Sequence, residues 1–287
     1  MKTAQINTAK VSIIIRTSER YIFLERAIAD VLRQTYKAWY IILVNDGGDV
    51  ERINGILEKY QVPEDKIKVI TIADNQGLHK AINVGAKAVE TEFVVMHDDD
   101  DTWDADFLKE TIAYLEEDPS RIGVITHSYK VYETVKEDSI KEKKKKPFNF
   151  EIKSVIGMYD MLKNNLFSPI SFVYRSSVYK EIGYFDETLQ VLEDWEFNIR
   201  FLMKHDIHVI EKPLANYHIR LQGNMNQAYR NTITSKKRVH QKYDTIIRNR
   251  YLREDLNNNE LGIGTLMNLL KWSDGKVMKK LKKYLNR

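Results

Sequence analysis

The chain has 287 residues, of which 43% are hydrophobic and 30% charged, and this balance excludes an intrinsically disordered protein. It contains no cysteine, so disulfides and thiolate metal sites are excluded, and any bound metal must have oxygen or histidine ligands. The net charge of +4 is small, and its basic residues form local patches that do not indicate a nucleic-acid partner. No long apolar stretch follows the N-terminus, so we expect a cytoplasmic protein.

The first 130 residues alternate short apolar runs with amphipathic stretches, which is typical of βα units around a parallel sheet. The predicted strands in this part lie at 11–15, 40–44, 66–70 and 93–96, and the helices at about 21–34 and 78–89. Further along, we predict a strand at 171–174, a helix at about 194–204 and a strand at 208–211. The pattern predicts an α/β fold with a mostly parallel central sheet flanked by helices.

Polar residues follow the carboxyl ends of several of these strands. Asn45-Asp46-Gly47-Gly48 follows the second strand, and four aspartates, Asp98 to Asp101, follow the fourth. Open α/β sheets bind ligands beyond the carboxyl ends of their strands. We therefore expect Asp46 and the aspartate run to meet at one edge of the sheet, although more than 50 residues separate them.

Four consecutive aspartates repel one another, so their cluster is costly unless a cation or hydrogen-bond donors neutralise it. An all-oxygen ligand set suits Mg²⁺ or Mn²⁺ better than zinc. The alternative is a solvated acidic turn, in which Asp104 or Asp106 caps the next helix. The aspartate run taken alone leaves both interpretations open.

Five motifs in order resemble the family 2 glycosyltransferases of the GT-A (Rossmann-like) fold. They are Val11 to Thr17, Ala27 to Tyr36, Ile42 to Gly48, Asn75 to Gly85, and Phe93 to Trp103. In the last of them, Asp98-Asp99-Asp100 stands where the family carries Asp-X-Asp. The resemblance covers about residues 10 to 225. It implies an inverting, metal-dependent transfer of a sugar, from a UDP-sugar to a hydroxyl of a glycan or lipid-linked acceptor, in surface-glycan synthesis.

The resemblance also implies roles for individual residues at the donor site. Asp46 would accept from the uracil imide N–H, and Thr17 and Glu19 lie where the family cradles the nucleoside. Asp98 would face the ribose and the metal, while Asp100 would coordinate Mn²⁺ or Mg²⁺, which stabilises charge on the leaving group. The implied donor-binding set is completed by Asn75, Gly77, Lys80 and Asp99.

A second acidic motif, Glu193-Asp194-Trp195, resembles the family's Glu-Asp sequence at a helix start. By this resemblance Asp194 would remove the proton of the acceptor hydroxyl, with Glu193 as the neighbouring catalytic carboxylate. Trp195 would stack on the acceptor sugar or fill the core. The alternative for the two acids is a pair favoured at a helix N-terminus by the helix dipole.

His218, in Tyr217-His218-Ile219-Arg220, resembles a late family segment whose histidine or arginine approaches the metal or the diphosphate. The sequence also departs from the family pattern. Arg16 stands where the family more often has proline, and Ile82 stands where it frequently has arginine, which puts one diphosphate contact in doubt. Arg220 or Lys80 is a candidate for the missing charge.

The predicted catalytic domain is 1–227, and within it the lysine-rich segment 136–147 is predicted to be a mobile loop. Residues 228–287 are predicted to form a C-terminal extension, a basic amphipathic helical tail. Such a tail suits docking on the catalytic domain, on a second subunit, or on anionic lipid at the inner face of the cell membrane. We favour docking on protein.

Two other functions remain open from the residues alone. A sugar-nucleotide nucleotidylyltransferase also uses an α/β sheet with metal carboxylates. That class usually has a glycine- and lysine-rich N-terminal phosphate loop, and Arg16-Thr17-Ser18-Glu19 is not one. The second alternative is a catalytically silent glycan-binding module whose aspartates hold calcium.

Overall fold

The structure is a computed structural model that describes residues 8–73, 76–136, 139–221, 229 and 237–273. In these ranges the strands are β1 (Val11–Thr17), β2 (Trp39–Asp46), β3 (Ile67–Ile72), β4 (Phe93–Asp98), β5 (Thr102–Trp103), β6 (Gly123–Lys136), β7 (Ser139–Phe148), β8 (Phe172–Arg175) and β9 (Ile207–Arg220). The α-helices are α1 (Tyr21–Leu32), α2 (Val50–Lys59), α3 (Leu78–Lys87), α4 (Phe107–Glu117), α5 (Met158–Lys163), α6 (Val178–Ile182), α7 (Glu193–Leu202), α8 (Lys237–Asn258) and α9 (Ile263–Ser273).

One mixed sheet contains the nine described strands in the order β3-β2-β1-β4-β8-β6-β9-β5, with β7 beside β6. Its first four strands are parallel, and β1 lies between β2 and β4 with all seven of its residues buried. Parallel strands covered on both faces need continuous apolar sequence. This explains why the apolar runs of β1, β2 and β4 could be recognised as strands without periodicity.

The second half of the sheet mixes strand directions and brings β9 beside the aspartates. β8 is antiparallel to β4 and β6, whereas β9 is parallel to β6. The short strand β5 pairs with β9, with Thr102 opposite Asn216. Because β5 directly follows the aspartate run, this pairing places the end of β9 beside it.

Two apolar cores lie on the two faces of the sheet. One contains residues from α1, α2 and α4, and in it Trp103 stacks on Phe107 with ring centroids 4.6 Å apart. The other contains residues from α3, α5, α7, α8 and α9. The predicted α/β fold with flanking helices and C-terminal helices is confirmed.

The prediction of a mobile loop over 136–147 is wrong for the described residues. β6 extends to Lys136, and β7 pairs with it antiparallel, with Lys146 opposite Lys130 and Ser139 opposite Lys136. The composition suggested a loop because β7 is rich in lysine. An edge strand, however, needs backbone hydrogen bonds on one side only, and lysine is a common residue on such edges.

The described part of the C-terminal tail packs on the predicted catalytic domain. Arg248 of α8 is buried and donates to the backbone carbonyls of Leu162, Lys163 and Met267. Met267 and Leu270 of α9 belong to the second apolar core. The predicted boundary at 227/228 and the basic end of the tail, 276–287, lie outside the described residues. No helix in the described ranges has the length and apolar character needed to span a membrane.

Candidate active site

The aspartate run begins where β4 ends, and its first two members bond to residues of the first strand and the loop after it. Asp98 Oδ1 accepts a hydrogen bond of 2.8 Å from Arg16 Nε. Asp99 accepts from the hydroxyl of Thr17 at 2.9 Å and from the guanidinium of Arg20. The parallel pairing of β1 with β4 causes this arrangement, because it sets Arg16 directly opposite Asp98.

The other two aspartates bond to residues from distant parts of the chain. Asp100 Oδ2 accepts from Arg20 Nη1 at 3.2 Å and also from Arg220 at the end of β9. Asp101 Oδ1 accepts from the backbone N–H of His218 at 2.8 Å. Hydrogen-bond donors, and above all arginines, therefore neutralise the aspartate run within the protein itself.

Burial and arginine charges set the pKa values of the run. Burial raises the pKa of Asp99 to about 6, although the charge of Arg20 opposes it. Burial and the charge of Asp100 raise the pKa of Asp101 well above its usual value. Burial also opposes ionisation of Asp100, but Arg220 and Arg20 outweigh it and hold its pKa well below the usual range. Asp100 is therefore the most firmly ionised of these three carboxylates.

A second polar network joins the run to β6. Glu133 is buried and accepts from Arg26 Nη1 at 2.8 Å, and its Oε2 lies 2.7 Å from His218 Nδ1. His218 Nε2 lies 2.9 Å from the hydroxyl of Thr102. Sequence reasoning missed Glu133 and Arg26. The available signal was a glutamate at a buried position of the alternating pattern in β6.

Phe23 of α1 supports the arginines of both networks. The guanidinium carbons of Arg20, Arg26 and Arg220 lie 5.8, 5.3 and 4.9 Å from the centroid of its ring. Cations are attracted to the face of an aromatic ring, and the ring is buried. Phe23 therefore holds three positive charges close together beside the aspartates.

A cavity of about 310 Å³ brings the two acidic motifs together. Its lining includes Arg16, Asp98, Glu193 and Asp194, with Lys130, Phe148 and Tyr217 from the second half of the sheet. Arg16 lies between the motifs, because its Nε bonds to Asp98 and its Nη1 lies 3.5 Å from Glu193 Oε1. The cavity therefore joins the end of β4 to the start of α7.

Asp194 has the environment expected of a general base. It lies in the first turn of α7, and its Oδ2 accepts a hydrogen bond of 2.7 Å from Asn165 Nδ2. Burial, followed by the charge of Glu193, raises the pKa of Asp194 to about 7. A base whose pKa lies near neutrality can accept a proton in one step of a reaction and release it in another.

Asp46 joins two of the other sequence motifs at the carboxyl edge of the parallel strands. Its Oδ1 accepts from the backbone N–H of Gln76 at 2.8 Å, and its Oδ2 accepts from that of Gly77 at 3.0 Å. Gly77 has φ +93°, a conformation that favours glycine, and α3 starts directly after it. Asn75 lies outside the described residues.

The sequence profile of glycosyl transferase family 2 matches residues 12–183, which is more than half of the chain. The chain belongs to glycosyl transferase family 2. It is therefore a glycosyltransferase, as the sequence motifs predicted, and neither a nucleotidylyltransferase nor a silent binding module. The matched part contains the aspartate run but ends before Glu193-Asp194.

Relatives in sequence agree with this assignment, and solved structures share the fold. The glycosyltransferase YwdF of Bacillus subtilis is 29% identical over 194 residues, which are 67% of this chain and 67% of YwdF. TuaG of the same organism, named for teichuronic acid biosynthesis, is 26% identical over 107 residues, 37% of this chain and 42% of TuaG. The structure of S. aureus TarS 1–349 with UDP-GlcNAc has a TM-score of 0.55 at 23% identity, over 77% of this chain and 61% of that chain.

The likeness to TarS shows a shared fold and confirms the predicted GT-A fold of this glycosyltransferase. A second TarS structure is matched with a TM-score of 0.56 at 23% identity, over 73% of this chain. The chain spans only 37% of that TarS chain, so the likeness concerns the fold of the matched part alone.

The side chains of two predicted site residues of the glycosyltransferase are buried and have partners within the protein. Trp195 is 2% exposed, its indole N–H donates to the carbonyl of Met161 at 2.7 Å, and Arg248 covers its ring. The prediction that it stacks on the acceptor is therefore wrong, and its alternative as a core residue holds. Thr17 is also buried, and its hydroxyl donates to Asp99, so its side chain orients the aspartate run. That its loop cradles the nucleoside stays a prediction.

The predicted role of His218 as a metal ligand is also not supported. Both ring nitrogens already have partners, Glu133 and Thr102, so neither is open to a cation in this arrangement. Glu19 and Lys80 are exposed, Glu19 with φ +49° and Lys80 on the first turn of α3. Their contacts with the donor stay predictions.

Whether a divalent cation fits the aspartate run depends on which of its carboxylate oxygens already accept hydrogen bonds. Among the described residues no hydrogen bond reaches Oδ2 of Asp98 or Oδ1 of Asp100, whose other oxygens bond to arginine. No group of three or more acidic or histidine side chains in the described ranges could hold a metal alone. Mg²⁺ commonly uses one or two carboxylates plus substrate phosphates, so the residues fit that mode of binding.

Proposed function

We propose that this glycosyltransferase moves a sugar from a UDP-sugar to a hydroxyl of a glycan or lipid-linked acceptor, with inversion at the anomeric carbon. The observation that supports it most directly is the shared cavity of Asp98 and Asp194, two carboxylates that lie far apart in sequence. In the family these positions serve the donor and the acceptor, respectively. Their proximity gives both substrates one place to meet.

UDP is the proposed nucleotide because of the environment of Asp46. This buried carboxylate ends β2 at the edge where α/β sheets bind ligands. It stands where the family accepts from the uracil imide. TarS, which shares the fold, was crystallised with UDP and with UDP-GlcNAc, and this is consistent with a uridine donor.

The proposed reaction is a single displacement. The acceptor oxygen attacks the anomeric carbon, its proton passes to a carboxylate oxygen of Asp194, and the bond from the anomeric carbon to the diphosphate oxygen breaks. The nucleoside diphosphate leaves with the electron pair of that bond. One base is sufficient because no covalent intermediate with the protein forms, and a pKa of about 7 suits that base.

Arg16 supplies positive charge inside the cavity, where the leaving group acquires negative charge. Its guanidinium lies between Asp98 and Glu193, within reach of both. A fixed cation near a developing negative charge lowers the barrier to its formation. We propose that Arg16, at a position where the family more often has proline, provides the diphosphate contact whose supply was open from the sequence.

A divalent cation, Mn²⁺ or Mg²⁺, forms part of the proposal. Asp98 and Asp100 would hold it, and it would stabilise the negative charge of the departing diphosphate. Surface-glycan synthesis is proposed as the setting, consistent with the similarity to TuaG. A cytoplasmic location, free or at the inner face of the membrane, belongs to the same proposal.

Calorimetric titration of UDP with and without Mn²⁺ tests the donor site. We expect Mn²⁺ to strengthen UDP binding, because its positive charge attracts the negative diphosphate. A screen of donor hydrolysis over UDP-, GDP- and dTDP-sugars then identifies the donor. Failure to bind UDP, or faster hydrolysis of a GDP- or dTDP-sugar than of every UDP-sugar, would contradict the assigned nucleotide.

A further inference from the structure

A row of lysines leads away from the catalytic cavity along the hairpin of β6 and β7. β7 contains Lys141, Lys143, Lys144, Lys145 and Lys146, and all five are exposed. One glutamate, Glu142, interrupts them. Among the described strands β7 pairs with β6 alone, so this charged strand forms an outer edge of the described sheet.

The register of the hairpin divides these lysines between its two faces. Lys130 of β6 lies opposite Lys146, and Tyr132 lies opposite Lys144. Side chains directly opposite each other, and those two residues along, share one face of an antiparallel pair. Lys130, Lys144 and Lys146 are therefore on the same face, together with Phe148, which lies opposite Ser128.

Lys145 is on the other face, where its Nζ lies 4.3 Å from the ring centroid of Tyr129. Lys143 has no partner on β6, because the register shifts there by one residue, with Tyr132 opposite Lys144 and Glu133 opposite Glu142. Lys143 and Lys145 can thus be replaced without removing a lysine from the face of Lys144 and Lys146. Their replacement provides an internal control.

The face with Lys144 and Lys146 is the one that continues into the cavity. Lys130 and Phe148 both line the cavity, beside Tyr217, which lies opposite Lys130 on β9. The Nζ of Lys130 lies 3.7 Å from the ring centroid of Phe148, and that of Lys144 lies 4.6 Å from the ring centroid of Tyr132. Aromatic rings therefore hold ammonium groups along this face.

The cavity contains acidic residues, and the hairpin face that leads away from it contains basic ones. The cavity itself carries Asp98, Glu193 and Asp194, which disfavour a second anion there. Lys146 and Lys144 continue outward from Lys130, and same-face residues of a strand are about 7 Å apart. An acceptor whose neutral end enters the cavity could place repeated negative charges on this row of lysines.

We propose that the face of the β6–β7 hairpin with Lys130, Lys144 and Lys146 binds the acceptor, and that the acceptor is an anionic glycan with phosphate or carboxylate groups along its chain. The inference rests on the proposed function, because it assumes that the acceptor hydroxyl enters the cavity. Phe148 and Tyr217 at the cavity provide aromatic surfaces for a sugar ring. The lysines beyond them contact the charged units that follow.

The test measures binding of two fluorescent probes by polarisation, at low and at physiological salt. The probes are an oligogalacturonate, with one carboxylate per sugar, and a short inorganic polyphosphate. We expect Lys144→Gln/Lys146→Gln to weaken binding of at least one probe about tenfold. The matched variant Lys143→Gln/Lys145→Gln removes the same charge from the same strand, and we expect it to change binding by less than about twofold.

Neutral malto-oligosaccharides of the same length should bind at least about tenfold more weakly than the better charged probe, since they lack the groups that lysine attracts. Equal losses in the two double variants would overturn the proposal, because they would indicate unspecific attraction to net charge. Equal binding of the neutral probe would overturn it as well. Melting temperatures of both variants verify that they are folded.

Vesicles of phosphatidylglycerol test the competing class of partner. Should the parent protein sediment with them through Lys144 and Lys146 while neither soluble probe binds, the face is a lipid-binding surface and the proposal is wrong. UDP affinity of the parent is measured in parallel. Absence of UDP binding by the parent would contradict the proposed donor alone, whereas failure of both charged probes with intact UDP binding would contradict the acceptor assignment alone.

Discussion

Asn165 donates a hydrogen bond of 2.7 Å from its side-chain amide to Oδ2 of Asp194. The carbonyl oxygen of the same amide accepts a hydrogen bond of 3.3 Å from Asn198 Nδ2 in α7. A side chain of the helix that carries Asp194 therefore orients the amide. Both Asn165 and Asp194 line the catalytic cavity. The bond therefore fixes the direction in which the proposed base presents its carboxylate.

Replacement of this base should separate transfer from donor binding. Asp194→Asn preserves the size of the side chain but removes the group that accepts the acceptor's proton. We expect transfer to fall by on the order of 10²–10⁴, the usual contribution of a positioned general base. UDP affinity should stay within about twofold. Glu193→Gln is the matched control and should reduce transfer less, whereas a near-parental rate for Asp194→Asn would refute the assignment.

The pH profile of transfer should report the pKa of Asp194 and the effect of Glu193 on it. Burial and the charge of Glu193 raise the pKa of Asp194 to about 7, and the base acts only when it is deprotonated. We therefore expect kcat/KM to rise with pH through about 7. In Glu193→Gln the neighbouring negative charge is absent, so the midpoint should move to lower pH. A midpoint that does not move would show that Glu193 is not electrostatically coupled to the base.

Asp46 is expected to control nucleotide affinity. If it accepts from the uracil imide, Asp46→Ala leaves a buried donor unpaired, at a cost of roughly 1–3 kcal/mol. UDP should then bind about tenfold to a hundredfold more weakly in calorimetric titration. Because Asp46 also bonds to the backbone of Gln76 and Gly77, the melting temperature must be measured alongside. Parental UDP affinity in a folded Asp46→Ala protein would show that the base pocket lies elsewhere.

Breaking the buried Arg220–Asp100 ion pair should lower the free energy of unfolding. Arg220→Met leaves Asp100 with one arginine fewer, and breaking a buried ion pair typically costs about 3–5 kcal/mol. We expect the lower end, because Arg20 still bonds to Asp100. In a double-mutant cycle of denaturant unfolding, Asp100→Asn should recover part of the stability that Arg220→Met loses. Additive losses would indicate that the two side chains are not coupled.

Adjacent residues of α9 should respond differently to truncation of their side chains. Met267 is fully buried against the catalytic domain, while Leu266 is 45% exposed. Met267→Ala should therefore lower the free energy of unfolding by about 2–5 kcal/mol. Leu266→Ala should change it by about 0.5 kcal/mol or less. Similar effects of the two substitutions would contradict the docking of α9 on the domain.

The parallel half of the sheet and the order of its motifs could be predicted from the sequence. Apolar runs such as Val11 to Ile15 have to be continuous, because strands covered on both faces expose neither side to water. Asp46 and the aspartate run could be placed at one edge because the carboxyl ends of parallel strands lie at the same edge of the sheet. Glu193 and Asp194 were found through their resemblance to a family motif, and the structure adds the cavity that they share with Asp98.

Only the tertiary structure decided which charges meet. Arg20 and Arg26 resemble solvated surface residues in the sequence, because their partners lie on other elements. β7 was mistaken for part of a loop for a related reason: it is held by backbone hydrogen bonds to β6, and such bonds leave no pattern in the side chains. A local sequence reports burial through its apolar residues, but the pairing of buried charges depends on which strands become neighbours when the sheet assembles.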